Sequence, residues 1–188
     1  SINTVRAAVI VTSDKCYKNI EKDRGYSEDE PMGGHDPYSS SKGATELLIS
    51  SYRNSYYSVD NYDEHKTAIA SVRAGNVIGG GDWAKDRLIP DIIKAFQNRK
   101  KVKIRNPNAV RPWQHVLEPL SGYIQLAELL SNNGTKHAEP WNFGPLEEDA
   151  HSVKWVVEKI TELWGNSASW MIDESEHPYE EKYLKLDC

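Results

Sequence analysis

Apolar residues in this chain form short unbroken runs that alternate with segments of helical spacing. Residues 6–12 and 67–73 contain Val, Ile and Ala without polar alternation, which predicts strands that are covered on both faces. Residues 141–143 and 168–172 predict further strands, and residues 101–105 predict a short strand with a polar edge. Because strands alternate with helices, the pattern indicates an α/β fold with a parallel sheet.

The clearest helix begins at Asp36-Pro37, since proline is pre-shaped for the first helical turn and loses no needed donor there. We expect this helix to run from Tyr38 to about Tyr56. Its apolar residues at helical spacing are Ala44, Leu47, Leu48 and Tyr52. Similar spacing predicts three further helices, at residues 88–98, 116–131 and 152–164.

The segments between these elements are predicted loops. Residues 17–37 are rich in Gly, Pro, Asp and Glu, and residues 57–66 are polar. A glycine-rich loop, residues 75–83, follows the second strand. Its glycines match neither Gly-x-Gly-x-x-Gly nor a Walker loop, so we interpret it as a permissive loop that lets a substrate approach the backbone.

Composition and charge exclude several classes of protein. The 188 residues can form one domain with a core, or parts of two. The net charge of -5 argues against a nucleic-acid binder, whose binding surface is basic. No apolar run approaches the roughly 20 residues that span a bilayer, and no signal peptide is recognised. We therefore expect neither nucleic acid nor membrane as a partner.

Cys16 and Cys188 have no metal-type spacing and are too few for a disulfide framework. This predicts a reducing, cytoplasmic compartment. The histidines and carboxylates also lack ligand spacing, so no metal is predicted. The chain enters almost directly into a core strand and stops at a strand-like run, residues 183–188, which suggests a fragment of a longer protein.

The candidate chemistry lies in two places. Ser13-Asp14-Lys15 follows the first predicted strand, and Tyr38 and Lys42 lie four residues apart on one helix face. A phenol is a poor base at neutral pH, but a neighbouring ammonium group stabilises the phenolate, so the pair makes a usable base for a sugar or alcohol hydroxyl. Ser13 can hydrogen-bond the same hydroxyl. The Tyr-x-x-x-Lys spacing alone is weak evidence, and its position after Asp-Pro and the Ser-Asp-Lys strand end strengthens it.

Five segments together resemble extended short-chain dehydrogenases/reductases, in the nucleotide-sugar dehydratase and epimerase branch. They occur in family order over nearly the whole chain, which is far more specific than one motif. The segments are residues 11–17, 33–38, 73–83, 111–116 and 141–145.

The resemblance implies an NAD-dependent lyase with a Rossmann-like, doubly wound parallel sheet. Tyr38, helped by Ser13 and Lys42, would take the proton of the sugar 4-hydroxyl while a hydride passes to NAD. Asp14 would protonate the departing 6-hydroxyl, which requires a raised pKa. Lys15 would be the base for the proton on carbon 5. Thr12, Tyr38 and Lys42 would contact the cofactor.

Lys15 bears on the substrate. Many dehydratases of this branch carry Glu at this position, and the Asp-Lys pair resembles the members that convert CDP-glucose to CDP-4-keto-6-deoxyglucose. Two other interpretations of Lys15 remain open, an ion pair with Asp14 and a fixed positive charge near the cofactor.

Three residues match substrate-binding positions of the branch. Asn76 resembles a residue that contacts the sugar nucleotide, and Asn142 is expected near the nucleotide. Arg111 suits a diphosphate because its guanidinium fork binds two oxygens. The alternative for Arg111 is a surface salt bridge, which contributes little.

The resemblance also implies the organisation of the chain. Residues 1–85 would form the later portion of the NAD-binding domain, incomplete and with the catalytic residues. Residues 86–188 would form a smaller, interleaved α/β part that binds the nucleotide sugar. The glycine-rich loop for the NAD pyrophosphate is not in this sequence, so we expect these residues alone to be inactive. A homodimer is expected through the helix at 38–56.

Other functions remain open. One is a different dehydratase with an Asp-Lys pair, such as an inverting UDP-GlcNAc 4,6-dehydratase, and another is a sugar epimerase. A third, from a different class, is a non-catalytic fragment that binds nucleotide sugars.

Overall fold

The computed structural model describes residues 4–165, 168–177 and 181–188. Within these ranges the chain forms strands, α-helices and three short 3-10 turns. The strands are β1 (Ala7–Val11), β2 (Ala68–Ala74), β3 (Val77–Ile78), β4 (Val102–Ile104), β5 (Val110–Arg111), β6 (Gln114–His115), β7 (Pro140–Phe143), β8 (His151–Ser152) and β9 (Trp170–Ile172). The helices are α1 (Pro37–Ser55), α2 (Tyr62–His65), α3 (Leu88–Gln97), α4 (Leu117–Asn133) and α5 (Val153–Trp164).

The central sheet contains three parallel strands in the order β1-β2-β7, as the alternation of strands and helices predicts. β2 lies in the middle and is buried along its length up to Arg73. β1 is only half-buried, and Val11 at its end is 57% exposed. The prediction that β1 is covered on both faces is therefore wrong. Among the described residues only β2 pairs with β1, so its other edge lacks a neighbouring strand.

Helices cover both faces of this sheet, which is the doubly wound arrangement. On one face, Leu126 and Leu130 of α4 pack against Ala70 and Val72 of β2. Residues of a strand alternate between the two faces, and the intervening Ser71 hydrogen-bonds Glu46 of α1. The helix α1 therefore lies on the opposite face from α4.

The start of α1 follows the prediction from Asp36-Pro37. The Asp36 carboxylate accepts hydrogen bonds from the backbone N–H groups of Tyr38 and Ser39, at 2.9 and 3.1 Å, and so caps the helix. These contacts hold Asp36 ionised and lower its pKa; the largest contribution comes from the Ser39 hydroxyl. The cap fixes where Tyr38 lies.

The predicted apolar face of α1 does not pack into the core. Leu47, Leu48 and Tyr52 are 64, 58 and 49% exposed, whereas the buried residues of α1 are Ser39, Gly43, Glu46 and Ile49. The helix lies close to the 3-10 turn Asp14–Cys16 that follows β1. A Cβ atom at Gly43 would lie 3.1 Å from the carbonyl oxygen of Cys16. Close backbone packing, rather than apolar bulk, selects this face.

A second hydrophobic core lies in the later half of the chain. There β4 and β9 pair in parallel, and α3 and α5 pack on them. Its fully buried centre is formed by Ile92, Phe96, Val102, Ile104 and Val157. Because α4 and β7 belong to the first sheet, the chain passes between the two cores more than once. The division at residue 85 stays a prediction.

The predicted loop 17–37 is ordered against the C-terminal segment, residues 181–188. Tyr17 and Tyr26 form a buried cluster with Leu184 and Leu186, and Tyr26 N donates to the Lys185 carbonyl at 3.0 Å. The strand-like run at 183–188 makes isolated bridges rather than a strand. The predicted loop at 57–66 contains a 3-10 turn and α2.

A buried ion pair joins α1 to the sheet. Glu46 is 4% exposed, and its carboxylate accepts hydrogen bonds from Thr12 Oγ1, from Ser71 Oγ at 2.8 Å and from Arg73 Nη2 at 2.9 Å. Burial raises the pKa of Glu46, but the hydrogen bonds from Arg73 and Thr12 outweigh it and leave the pKa below its usual value. The carboxylate is therefore charged, paired and out of water.

No helix in the described ranges has the length and apolar character needed to cross a membrane.

We predict that Glu46→Gln destabilises the fold by about 3–5 kcal/mol, because it leaves the Arg73 guanidinium buried without its countercharge. Urea denaturation measures this change in the free energy of unfolding. The control is Glu158→Gln on α5, whose partner Lys154 is 3.8 Å away with both side chains 52% exposed. The control should cost less than about 0.5 kcal/mol. Equal effects of the two substitutions would contradict the structural role of Glu46.

Candidate active site

A cavity of about 1330 Å³ opens at the carboxyl ends of β1 and β2. In open parallel α/β sheets, ligands bind in the crevice outside these strand ends. Its polar wall comes from the residues after β1, the start of α1 and the glycine-rich loop. Its apolar wall comes from the second core and includes Ile89, Ile93 and Ile104. The cavity therefore lies where the two cores meet.

A short 3-10 turn, Asp14–Cys16, presents the first candidate residues to this cavity. Ser13 caps the turn: its Oγ accepts from Lys15 N at 3.2 Å and donates to Asp14 Oδ1 at 3.0 Å. Ser13, Asp14 and Lys15 all line the cavity. The sequence order Ser-Asp-Lys thus becomes one fixed cluster.

Asp14 is the most perturbed of these groups. It is 5% exposed, and its Oδ2 atom is buried without a hydrogen-bond partner among the described residues. Burial raises the pKa of Asp14 to about 6, although Lys15, the Ser13 hydroxyl and Arg111 act in the opposite direction. The carboxyl group is therefore half protonated near pH 6, which is the direction of shift that the predicted acid requires.

Lys15 forms an ion pair with Glu181, which also lines the cavity. In the part of the chain that the structure describes, Lys15 makes no ion pair with Asp14, so that interpretation of Lys15 is wrong. Glu181 is a residue that sequence reasoning missed. It lies 166 residues from Lys15 along the chain, and no spacing rule connects the two.

Tyr38 and Lys42 come together as their helical spacing predicts. Lys42 Nζ lies 5.5 Å from the centroid of the Tyr38 ring. Tyr38 is 56% exposed and lines the cavity, whereas Lys42 is not among the lining residues. The phenol faces the open space, and the ammonium group lies beside its ring.

Asn76 and Arg111 also line the cavity. The backbone of Asn76 is held by a hydrogen bond from Gln114 N at 3.0 Å. Arg111 is 9% exposed, and its guanidinium group donates to the carbonyls of Val110 at 2.8 Å and Glu181 at 2.6 Å. Arg111 is therefore a buried cation on the cavity wall rather than an exposed surface side chain.

The side chains of Thr12 and Asn142, two predicted binding residues, make hydrogen bonds within the protein. Thr12 lines the cavity, but its hydroxyl donates to Glu46 and lies 3.2 Å from the Val72 carbonyl. The structure does not bring Asn142 to the cavity. Its side chain accepts from Tyr17 Oη at 2.7 Å and donates to the carbonyls of Tyr26 at 2.7 Å and Asp187 at 3.0 Å. Asn142 joins the loop after Tyr17 to the C-terminal segment.

The glycine-rich loop forms one rim of the cavity. A Cβ atom at Gly80 or Gly81 would meet nothing within 4 Å, and Gly81 has a φ of +82°, which favours glycine. Trp83 and Trp113 are cavity walls, whereas Trp141 packs against the core of the central sheet. Across the described ranges, no group of three or more His, Cys, Asp or Glu is placed to hold a metal ion.

Comparison with known sequences shows what this site resembles. The family model of the NAD dependent epimerase/dehydratase family matches residues 2–144. CDP-glucose 4,6-dehydratase of Salmonella typhimurium is 59% identical over 187 residues, which is 100% of this chain and 52% of that protein. Human dTDP-D-glucose 4,6-dehydratase is 27% identical over 97 residues, 52% of this chain and 25% of that protein. The chain thus spans about half the length of the Salmonella relative.

Solved structures with less than 25% identity share the fold. A dTDP-glucose 4,6-dehydratase from Bacillus anthracis, in complex with NAD, has a TM-score of 0.74 and 21% identity, covering 95% of this chain and 52% of that one. A UDP-glucuronic acid 4-epimerase from Bacillus cereus, in complex with UDP-glucuronic acid and NAD, has a TM-score of 0.73 and 20% identity, covering 96% of this chain and 52% of that one.

Proposed function

Since the chain belongs to the NAD dependent epimerase/dehydratase family, we propose that it is the catalytic part of an enzyme that dehydrates CDP-glucose to CDP-4-keto-6-deoxyglucose. One observation carries the proposal. A buried carboxyl group with a raised pKa, Asp14, lines the same cavity as the phenol of Tyr38. An acid beside a base is the equipment for removing a hydroxyl group from a sugar that has first been oxidised.

The residues at the carboxyl ends of β1 and β2 fit the nicotinamide-ribose end of NAD. Tyr38 offers a phenol to the open cavity, and Lys42 places a cation at its ring. The Thr12 hydroxyl is already bound to Glu46, so Thr12 would contribute through its backbone. When bound, NAD supplies a group that accepts a hydride from carbon 4 of the sugar and returns it to carbon 6.

Tyr38 begins the reaction by taking the proton of the sugar 4-hydroxyl. The Lys42 ammonium stabilises the phenolate that this requires. Ser13 is bound to the Asp14 carboxyl group, so its contribution is to orient the acid as well as the substrate hydroxyl. The 4-ketone that results acidifies the hydrogen on carbon 5.

Elimination requires a base at carbon 5 and an acid at the 6-hydroxyl. Asp14 gives its proton to the 6-hydroxyl, which leaves as water, and the pKa of about 6 suits that role. Lys15 takes the proton from carbon 5. Glu181, its ion-pair partner, would take the proton from Nζ so that Lys15 acts as an amine, and Lys15 would return the proton to carbon 5 when the hydride adds to carbon 6.

Asn76 and Arg111 would bind the nucleotide sugar, and their position on the cavity wall supports this role. Arg111 supplies a buried cation for a diphosphate, and the apolar wall formed by Ile89, Ile93 and Ile104 offers a surface for a base. Support for cytidine comes from the 59% identity to the Salmonella CDP-glucose 4,6-dehydratase and from the Asp14-Lys15 pair. This is a step of deoxysugar synthesis.

The proposal is tested by offering CDP-glucose, dTDP-glucose, UDP-GlcNAc and GDP-mannose to the full-length protein that carries this chain. We expect a 4-keto-6-deoxy product from CDP-glucose and at least tenfold less from the others, since even an apolar pocket discriminates a small change in the ligand by about tenfold or more. The product is measured by NMR. Turnover of another nucleotide sugar, a 4-epimer as product, or no product at all would each contradict the proposal.

For Lys15, we predict that Lys15→Met still permits oxidation at carbon 4 but blocks exchange of the hydrogen on carbon 5 with solvent deuterium. The reason is that methionine keeps the length of the side chain but carries no amine. NADH absorbance reports the first step and NMR the second. Exchange at the wild-type rate would contradict the role of base and leave Lys15 as a fixed charge.

We further propose that two copies associate through α1. The face formed by Leu47, Leu48, Tyr52 and Tyr56 is exposed, with Tyr56 at 70%. An apolar helix face of this kind is self-complementary across a two-fold axis.

We predict that Leu48→Glu converts the dimer to a monomer, because it buries a charge at the centre of that interface. Light scattering after size exclusion gives the mass. The control is Leu163→Glu on α5, which is 77% exposed and should leave the mass unchanged. A wild-type monomer would contradict the proposal.

A cytoplasmic setting stays a prediction, in which Cys16 and Cys188 are free thiols.

A further inference from the structure

We infer that Glu181 is a positioning residue for the Asp14-Lys15 pair. Its carboxylate holds the Lys15 ammonium group by an ion pair and places a compensating negative charge in the cavity near Asp14. The inference rests on the proposed function in one respect only, that Asp14 gives its proton to the 6-hydroxyl of the sugar.

The ion pair is well placed to orient Lys15. The Glu181 side chain is 12% exposed and that of Lys15 is 30% exposed, so both charges are largely withdrawn from water. Screening by solvent and salt is weak at such a site. A flexible lysine in an open cavity has many rotamers, and a partner that is held in place selects one of them.

The segment around Glu181 is held by four contacts. Arg111 Nη2 donates to the Glu181 carbonyl at 2.6 Å, and Val110 N donates to the Lys182 carbonyl at 2.8 Å. The Glu21 carboxylate accepts a hydrogen bond from Lys182 N at 2.7 Å. Leu184 is buried in the cluster with Tyr17 and is only 1% exposed. The carboxylate is therefore presented by an anchored segment rather than by a loose end.

Asp14 senses this arrangement. Burial is the main cause of its raised pKa, and the cations that oppose it are Lys15 on its own turn and Arg111 on β5. Glu181, on the C-terminal segment, raises the pKa of Asp14. Two cations near a buried carboxyl group favour its ionised form, and one carboxylate paired to Lys15 offsets part of that effect. Asp14 is thereby left with a proton to donate.

Carbon NMR of labelled aspartate in this chain, with no substrate or cofactor, tests the inference. We expect Glu181→Gln to lower the pKa of Asp14, so that its protonated fraction near pH 6 falls by about twofold. Glu181→Asp keeps the charge and should restore most of that fraction. In the full-length protein, activity falls as rising pH deprotonates the general acid. In Glu181→Gln this fall should begin at a lower pH than in the wild type.

The matched control is Glu147→Gln. Glu147 pairs with Lys185 at 3.1 Å, so the control removes a carboxylate that anchors the same segment but does not line the cavity. It should leave the pKa of Asp14 unchanged. An unchanged pKa in folded Glu181→Gln would overturn the inference, and so would an equal change in the control.

A second pair of variants covers the case in which Glu181→Gln does not fold. Glu181→Gln alone leaves the Lys15 ammonium group without its partner. In a Lys15→Met protein this cation is absent, so adding Glu181→Gln leaves neither charge of the pair. The added substitution should still lower the pKa of Asp14, and identical values in the two proteins would overturn the inference. Failure of the proposed function would show as no turnover of CDP-glucose, which this measurement does not depend on.

Discussion

The buried ion pair of Glu46 and Arg73 fixes how α1 lies on the sheet. Glu46 belongs to α1, Arg73 to β2, and Thr12, which donates to the same carboxylate, follows β1. Three elements that carry the active-site residues are thus joined at one charge. A buried carboxylate cannot exchange its partners for water, so displacement of any one element would strand a charge in the interior. The relation of Tyr38 to Ser13-Asp14-Lys15 follows from this pair.

The cavity also depends on how charges are balanced once they are withdrawn from water. Asp14 and Arg111 are buried, and Lys15 and Glu181 are mostly so. Each cation is matched by an oxygen: Lys15 by the Glu181 carboxylate, and Arg111 by main-chain carbonyls. Asp14 is the exception, because its Oδ2 lacks a partner among the described residues. Burial of this carboxyl group raises its pKa to about 6, which links the packing of the site directly to its chemistry.

The two faces of α1 are reversed relative to an ordinary amphipathic helix, which buries its apolar face. On α1 the small and polar residues face the sheet, and the leucines and tyrosines face outward. The sequence predicted the apolar positions of this helix, and the structure shows that Leu47, Leu48 and Tyr52 face outward. Hydrophobic periodicity reports that one face will be covered, and it does not say whether the cover is the protein's own core or another surface.

Sequence alone determined the elements that depend on local order. Unbroken apolar runs predicted β1 and β2, Asp36-Pro37 predicted where α1 begins, and helical spacing brought Lys42 to Tyr38. Family order also located Asp14 and Arg111 at the site, although it misplaced Asn142. Only tertiary structure decided the partner of Lys15, the burial of Asp14 and the inward face of α1. These properties come from residues far apart in the chain, such as Glu181 and Lys15, and depend on how closely backbones approach and how much water is excluded. No periodicity or spacing along one dimension encodes such distances.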